Sequence, residues 1–396
     1  MSTQRPRLPL TAHGLACGLG LSSTESLAAL ERGERGLREV PFEVPFATVT
    51  GTLPGGEPPP VPAHLAVYDS RLARLAHLAW VDMQAAGERA IARWGAERVA
   101  LIVGTSTGGI GETEAAHEAW WPTQEPAAVP ASYSYPTQHS FHAFLDFLAE
   151  LTGIAGPRYV VSTACSSSNK VFASARRLIE LGIVDAAVVG GVDGLCHTTV
   201  RGFHGLGVMA PEPCRPFGVD RPGMNVGEAA ALVLVEREGE PLAWLRGVGE
   251  TSDAYHPSSP DPEGRGALRA MQGALAEAGV APGEVDHVNA HGTGTQYNDI
   301  AESKAIAALL GTEVPVVSTK AYTGHTLGAC GGVEAIFAIH CLRRGWIPAA
   351  LGAHPTDPDI PLRLPAEPEE RTLRYVLSNS FAFGGNNCSV LFEAAR

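Results

Sequence analysis

The chain lacks any apolar run approaching the roughly 20 residues that a membrane span needs, although 45% of its 396 residues are hydrophobic. Arg5 and Arg7 precede an apolar stretch at 8–21, but that stretch holds His13, Gly14, Gly18 and Gly20 and no clear small-residue cleavage site. It reads as a first strand and turn rather than a signal peptide. No C-x-x-C pair occurs, and the seven cysteines, an odd number, show no regular spacing. A disulfide framework and a structural zinc site are both disfavoured, and a reducing, cytoplasmic compartment with free thiols is expected. A basic surplus is lacking too. The net charge of −13 argues against nucleic acid, whose binding normally needs a positive surface.

What remains is a chain rich in apolar residues, about twice the usual length of one domain or more, so two fused halves or one large domain are the sensible readings. Its 45 glycines and 30 prolines are scattered among apolar runs, which suits tight turns and close backbone approaches rather than disorder. Strand-like runs at 99–103, 159–162, 186–189, 230–235, 285–289, 314–317 and 375–377 alternate with helix-like stretches at 70–94, 169–181, 266–278, 299–310 and 331–343. This alternation predicts an α/β fold with buried strands covered by helices. Pro-containing segments at 57–62, 258–264 and 354–368 read as surface loops. A weak internal echo joins 170–183 to 332–347, each a helix closed by a glycine (Gly182, Gly345). Two unrelated helices with glycine stops would look the same.

Three short segments carry candidate chemistry. Cys165 lies in Ser162-Thr163-Ala164-Cys165-Ser166-Ser167-Ser168, directly after a strand-like run and before a helix. A thiol at a helix N-terminus feels the positive end of the backbone dipole, which favours the thiolate. Alone, such a cysteine would more simply be packed in a turn. His291 lies in Ala290-His291-Gly292-Thr293-Gly294-Thr295, and His325 closes Ser318-Thr319-Lys320-Ala321-Tyr322-Thr323-Gly324-His325, again each after a strand-like run. One such histidine is usually structural. A cysteine and two histidines, each at a strand end among Gly, Ser and Thr, fit the place where α/β folds bind ligands.

A rival nucleophile is Ser106, in Gly104-Thr105-Ser106-Thr107-Gly108, which matches the G-x-S-x-G elbow of serine hydrolases. The pattern is weak in so glycine-rich a chain, and a hydrolase would need an acid and a histidine poised beside that serine.

Taken together the motifs resemble the beta-ketoacyl-acyl carrier protein synthases, in particular the stand-alone elongating type. The resemblance runs through nearly the whole chain and is weakest at 41–62. It takes in 12–36, 104–109, the Ala-Cys-Ser nucleophile within 156–168, Cys214-Arg215-Pro216-Phe217 with Asp220-Arg221, and Ser252-Asp253-Ala254-Tyr255-His256. It continues through 289–295 and 319–334 and closes on Ser378-Asn379-Ser380-Phe381-Ala382-Phe383-Gly384-Gly385-Asn386-Asn387.

The resemblance implies a thiolase-like fold, two similar halves in an α-β-α-β-α layered sandwich, with 1–240 carrying the nucleophile and 241–396 both catalytic histidines. It implies that Cys165 takes an acyl group from the phosphopantetheine of an acyl carrier protein, with no cofactor of its own and no metal. His291 and His325 would then bind the malonyl thioester during decarboxylation. Two histidines, rather than His and Asn, point to malonyl decarboxylation within the family. Lys320 and Glu334 match residues that hold the histidines through a buried charge network, a surface salt bridge being the simpler alternative. Phe383 matches the gate residue and, with Cys165, supplies oxyanion N–H groups. Asp299 and Glu302 read as structural, closing turns or helix starts.

Expected partners are an acyl carrier protein and a second subunit, as a homodimer or as a heterodimer with a chain-length-factor-like subunit. A non-catalytic, chain-length-setting subunit is the alternative, and such subunits lack the nucleophile present here. Arg71, Arg74, Arg176, Arg177, Arg215 and Arg221 are candidates for meeting a small acidic partner, or are solvated surface charges. Gln138, His139, Phe203, Met224, Thr293 and Thr295 are expected to line the substrate pocket. The segment 134–144 matches the place where the family's acyl pocket meets the partner subunit, and its polar run Gln138-His139-Ser140-Phe141-His142 suggests an unsaturated or aryl-bearing acyl chain, as in bacterial polyene pigment pathways; a solvent-facing loop is the competing reading. The chain departs from the family pattern at Ser166-Ser167-Ser168, at Pro222-Gly223-Met224-Asn225 and at Asn386.

Overall fold

The computed structural model describes residues 5–395. Its strands are β1 (Leu8–Cys17), β2 (Leu37–Glu39), β3 (Val49–Gly51), β4 (Val99–Gly104), β5 (Arg158–Val161), β6 (Ala186–Asp193) and β7 (Ala229–Glu236). The second part of the chain adds β8 (Ala243–Ser252), β9 (His287–Asn289), β10 (Val316–Val317), β11 (Trp346–Ile347), β12 (Glu369–Glu370), β13 (Tyr375–Ala382) and β14 (Asn386–Ala394). The helices are α1 (Ser23–Glu31), α2 (Arg71–Trp94), α3 (Ile110–Trp120), α4 (Ala143–Thr152), α5 (Ser167–Glu180), α6 (His197–Gly205), α7 (Arg265–Ala278), α8 (Gln296–Leu310), α9 (Lys320–Thr323) and α10 (Cys330–Arg344).

Ten strands form one sheet in the order β10-β9-β13-β14-β8-β1-β7-β6-β4-β5. Counted from the start of each half, β1, β4, β5, β6, β7 and β8, β9, β10, β13, β14 both follow the order 3-2-4-5-1. The polarity repeats as well. Three parallel strands (β5, β4, β6 and β10, β9, β13) are followed by two antiparallel ones in each half. The halves join where β1 pairs antiparallel with β8, Leu8 opposite Leu245. The inner parallel strand β4 (VALIVG) is buried throughout, because helices cover both sides, whereas the edge strand β5 is only half-buried.

Helix α5 follows the edge strand β5 and α10 follows β10, so the echo between the two segments is structural. Both helices contact strands of both halves and each other, forming the middle layer. The outer layers are α2 on the first half and α7 with α8 on the second. Helix α2 starts where the Ser70 hydroxyl accepts from Ala73 N–H at 3.2 Å and buries Leu72, Leu75, Ala79, Trp80 and Met83 on one stripe. The two central helices approach closely at Gly331, where a Cβ would lie 2.6 Å from Asn169.

Strands β8 and β14 escape a reading by apolar runs. In β8, Arg246, Gly247 and Gly249 break the pattern, yet Gly249 is there so that α7 can lie directly on the strand: a Cβ would come 1.9 Å from the Ala270 carbonyl. No helix among the described residues is long and apolar enough to cross a membrane.

Candidate active site

Three strands, β5 of the first half and β9 and β10 of the second, deliver the three candidate residues from their C-terminal ends, the usual ligand edge of parallel strands. After β5, Ala164 adopts a left-handed conformation (φ 51°) and turns the chain into α5. The serines that depart from the family pattern lash this turn. Ser167 Oγ donates to the Ala164 carbonyl (2.6 Å), Ser166 Oγ donates to the Thr163 carbonyl (2.9 Å), and Ser168 Oγ accepts from Gly332 N–H (3.0 Å), tying α5 to α10. After β9, the His291 and Gly292 N–H groups donate to Glu302 of α8 at 2.8 and 2.7 Å. Asp299 takes Phe217 N–H at 2.8 Å and Gly294 N–H at 3.2 Å. After β10, the His325 backbone is bracketed by Asn225 O (2.7 Å) and Gly227 N (2.9 Å).

These loops bring Cys165, His291 and His325 together. His325 Nε2 lies 3.0 Å from Cys165 Sγ, and the sulfur and one nitrogen of each histidine lie within 4.8 Å of one another. The imidazole centroids are 5.2 Å apart, nearly perpendicular. All three residues are buried.

Electrostatics sharpen the picture. Burial lowers the pKa of both histidines well below the ordinary value, with the Lys320 charge acting in the same direction, so both rings are neutral. His325 Nδ1 accepts from Leu327 N–H at 3.3 Å, which leaves the ring proton on Nε2. Lys320 and Glu334 form a fully buried ion pair rather than a surface bridge. Burial works against the Lys320 ammonium, and Glu334, with Cys330 and Glu302 adding to it, more than offsets that burial and holds the pKa up. Cys165 departs from expectation. Burial pushes its thiol up to about 11, outweighing Lys320 and the backbone N–H groups of Phe383 and of Cys165 itself, all of which favour the thiolate. A helix start alone does not ionise a sulfur in so dry a site.

The Cys/His/His donor set could accept a soft divalent ion, but the Lys320 ammonium opposes a dication. A cavity of about 80 Å³ adjoins the three residues, lined by apolar Phe203, Val208, Met224 and Phe383 and by polar Thr293, Thr295 and Asn298. Exposed Tyr297 stands at its rim.

Family models match most of the chain: beta-ketoacyl synthase, N-terminal domain, over residues 69–240, and beta-ketoacyl synthase, C-terminal domain, over residues 242–354. The chain belongs to the beta-ketoacyl synthase family. Its relatives include the 3-oxoacyl-(acyl-carrier-protein) synthase 2 of Staphylococcus aureus, 32% identical over 75% of this chain and 77% of the relative. The protein of that name from Mycobacterium bovis is 40% identical over 58% of this chain and 59% of its own. A chain from the complex of a ketosynthase (ApeO) with its chain length factor (ApeC) from Xenorhabdus doucetiae superposes with TM-score 0.90 at 38% identity, covering 98% of each chain. A beta-ketoacyl synthase from Burkholderia phymatum superposes with TM-score 0.88 at 30% identity, covering 99% and 100%. The thiolase-like ketosynthase fold expected from the motifs is the one observed.

Not every expected residue of this ketosynthase reaches the cavity. Phe203, Met224, Thr293 and Thr295 line it, but Gln138 and His139 do not. The Gln138 amide accepts from Ser134 N–H in its own loop (2.8 Å) and donates to the Asp69 carbonyl ahead of α2 (2.9 Å), and His139 Nδ1 bonds Thr113 on α3. Their polarity therefore says nothing about the acyl chain within this subunit. Ser106 is no nucleophile here either: its hydroxyl is buried with no hydrogen-bond partner among the described residues, so no base is poised beside it.

The arginines offered as docking sites carry acidic partners. Arg71 pairs with Glu228 (2.6 Å) and Glu57 (2.8 Å), Arg74 with Asp69 (2.7 Å) and Glu57 (2.5 Å), and Arg215 with Glu212 (2.7 Å). Arg177 pairs with Glu250. Arg176 is buried, with Glu180 3.6 Å away, and Arg221 is fully buried against Asp357 (2.6 Å). Only Arg177 of the six is exposed, and Arg215 is half-buried. Sequence reading missed Asp193, which closes β6; the Gly190-Gly191-Val192-Asp193 strand end was its only signal.

Proposed function

We propose that this chain catalyses decarboxylative Claisen condensation between an acyl group held on Cys165 and malonyl-acyl carrier protein, releasing CO2 and beta-ketoacyl-acyl carrier protein. The observation that carries this reading is the convergence of one thiol and two neutral imidazoles on one cavity. The Cys165 sulfur attacks the acyl thioester of a carrier phosphopantetheine; its proton leaves with the pantetheine thiol and the acyl group stays on Cys165. Rigid N–H groups of Cys165 and Phe383, which already face the sulfur, suit the oxyanion that forms. Malonyl thioester then meets the His291 and His325 N–H groups. Its carboxylate leaves as CO2, the bond electrons become an enolate stabilised by those donors, and the enolate carbon attacks the acyl-Cys165 carbonyl. The new carbon–carbon bond forms as the Cys165 sulfur departs.

Neutral rings suit this task, because a hydrogen-bond donor in a dry site stabilises developing charge without a proton transfer. Lys320 and Glu334 hold that environment rather than touch the substrate. The first half, 1–240, would supply the nucleophile and 241–396 the enolate donors. The chain needs no bound cofactor in this scheme beyond the phosphopantetheine its substrates carry. An acyl carrier protein is thus its partner, and a chain-length-factor-like second subunit is favoured over a homodimer by likeness to ketosynthases solved with such factors. The same likeness favours polyketide or polyene elongation over primary fatty-acid synthesis. Seven free cysteines suit a reducing, cytoplasmic setting.

The test is reconstitution with acyl-carrier and malonyl-carrier substrates, following CO2 and ketoacyl product. Saturated and polyene acyl chains should be compared; equal rates would remove the polyene assignment. His291→Ala and His325→Ala should still acylate Cys165 yet release no CO2. Unimpaired decarboxylation in both variants would refute the enolate roles.

A further inference from the structure

Asp193 ends β6 in full burial and takes no part in the scheme above. Its carboxylate accepts from Thr105 Oγ1 (2.7 Å), Ser106 N (2.9 Å), Thr107 N (3.1 Å) and Thr107 Oγ1 (2.9 Å). These groups make up the glycine- and serine-rich loop after β4, whose elbow-like motif has no nucleophilic use. A further bond reaches another part of the chain: Gly328 N–H donates to Asp193 Oδ2 at 2.6 Å. One carboxylate therefore clamps the β4 loop to the turn that follows His325.

That turn is strained and tight. Leu327 sits in the left-handed region (φ 52°), which residues other than glycine hold only when their surroundings impose it. Gly328 is required beside it, because a Cβ there would lie 2.7 Å from both Asp193 Oδ2 and Ser106 N. In this conformation Leu327 N–H reaches back to His325 Nδ1 at 3.3 Å. A nitrogen that accepts carries no proton, so the neutral ring keeps its proton on Nε2, the atom 3.0 Å from Cys165 Sγ.

We propose that Asp193 is a positioning residue which, by pinning Gly328, holds the strained Leu327 turn that selects the Nε2–H tautomer of His325. The role rests on the condensation reading, in which that N–H binds the malonyl thioester oxygen. It separates two half-reactions that a general loss of structure would affect alike. The Asp193 charge also raises the Cys165 pKa, so removing it should ease ionisation of the sulfur while loosening the histidine.

Asp193→Asn should therefore alkylate at Cys165 with iodoacetamide at least as fast as the parent at pH 8, yet decarboxylate malonyl-carrier about tenfold more slowly or worse, with the loss in kcat rather than KM. Asp193→Glu should recover part of the decarboxylation rate. Alkylation and decarboxylation falling together, or decarboxylation unchanged in folded Asp193→Asn, would overturn the role. Should that variant fail to fold, nitrogen NMR of the parent protein labelled in histidine decides. His325, assigned against His325→Gln, should show protonated Nε2 and bare Nδ1. The opposite tautomer would overturn the proposal. The condensation reading fails separately, if the parent enzyme forms no ketoacyl product.

Discussion

His325 Nε2 lies 3.0 Å from the sulfur of Cys165, across 160 residues of sequence. The contact exists because the two halves repeat one strand order, so that β5 and β10 aim their C-terminal ends at a common centre. The chemistry follows from that symmetry. The nucleophile comes from one half and the enolate donors from the other, and neither half holds the site alone.

Lys320 should govern the reactivity of Cys165. Its ammonium is the largest influence favouring the thiolate in a site whose burial pushes the thiol up to about 11. Lys320→Met should move the pH profile of iodoacetamide alkylation upward and slow the reaction at pH 8, by about tenfold for each pH unit that the profile moves. Losing one partner of a buried pair should also destabilise the protein by roughly 3–5 kcal/mol. Lys320→Met/Glu334→Leu should regain much of that stability without regaining reactivity. A double variant that alkylates at the parent rate would show that Lys320 acts only through packing.

The decarboxylation step should be insensitive to pH near the ordinary histidine range. Burial disfavours the charged imidazolium, so both rings take a second proton only well below 6.5. The rate of CO2 release from malonyl-carrier, measured as a half-reaction, should stay level from pH 8 down to about pH 6. Burial also pushes the Glu302 and Glu334 carboxyls up to about 7, so a step centred on 6.5 that persists in Glu302→Gln and Glu334→Gln would show that one ring titrates as if exposed.

The cavity beside the nucleophile is small, about 80 Å³, and buried Met224 lines it. Met224→Ala should raise the acylation rate of Cys165 by long chains relative to short ones. It should also cost about 2–5 kcal/mol of stability as a buried side chain is lost. An unchanged chain-length ratio would place the acyl chain elsewhere.

Much of this was legible in the sequence, and the illegible parts have physical causes. Cys165, His291 and His325 announce themselves because each stands at a strand end among residues small enough to let substrate approach. Gln138 and His139 lie away from this subunit's own cavity, because the Gln138 amide is held by Ser134 and Asp69 and His139 by Thr113. The arginines could not be sorted from the sequence because it does not show the carboxylate across the fold, such as Glu228 for Arg71. Asp193 stayed hidden because its role is collective, joining 105–107 to Gly328. The state of the Cys165 thiol was misjudged because a helix start is local, whereas burial is a property of the whole site.

Intact-protein mass spectrometry after exposure to acyl-carrier substrate tests the central claim most directly. The parent chain should gain the mass of one acyl group, and Cys165→Ala should gain none while melting as a folded protein. An acyl adduct retained on Cys165→Ala would contradict the account and send the search to another nucleophile.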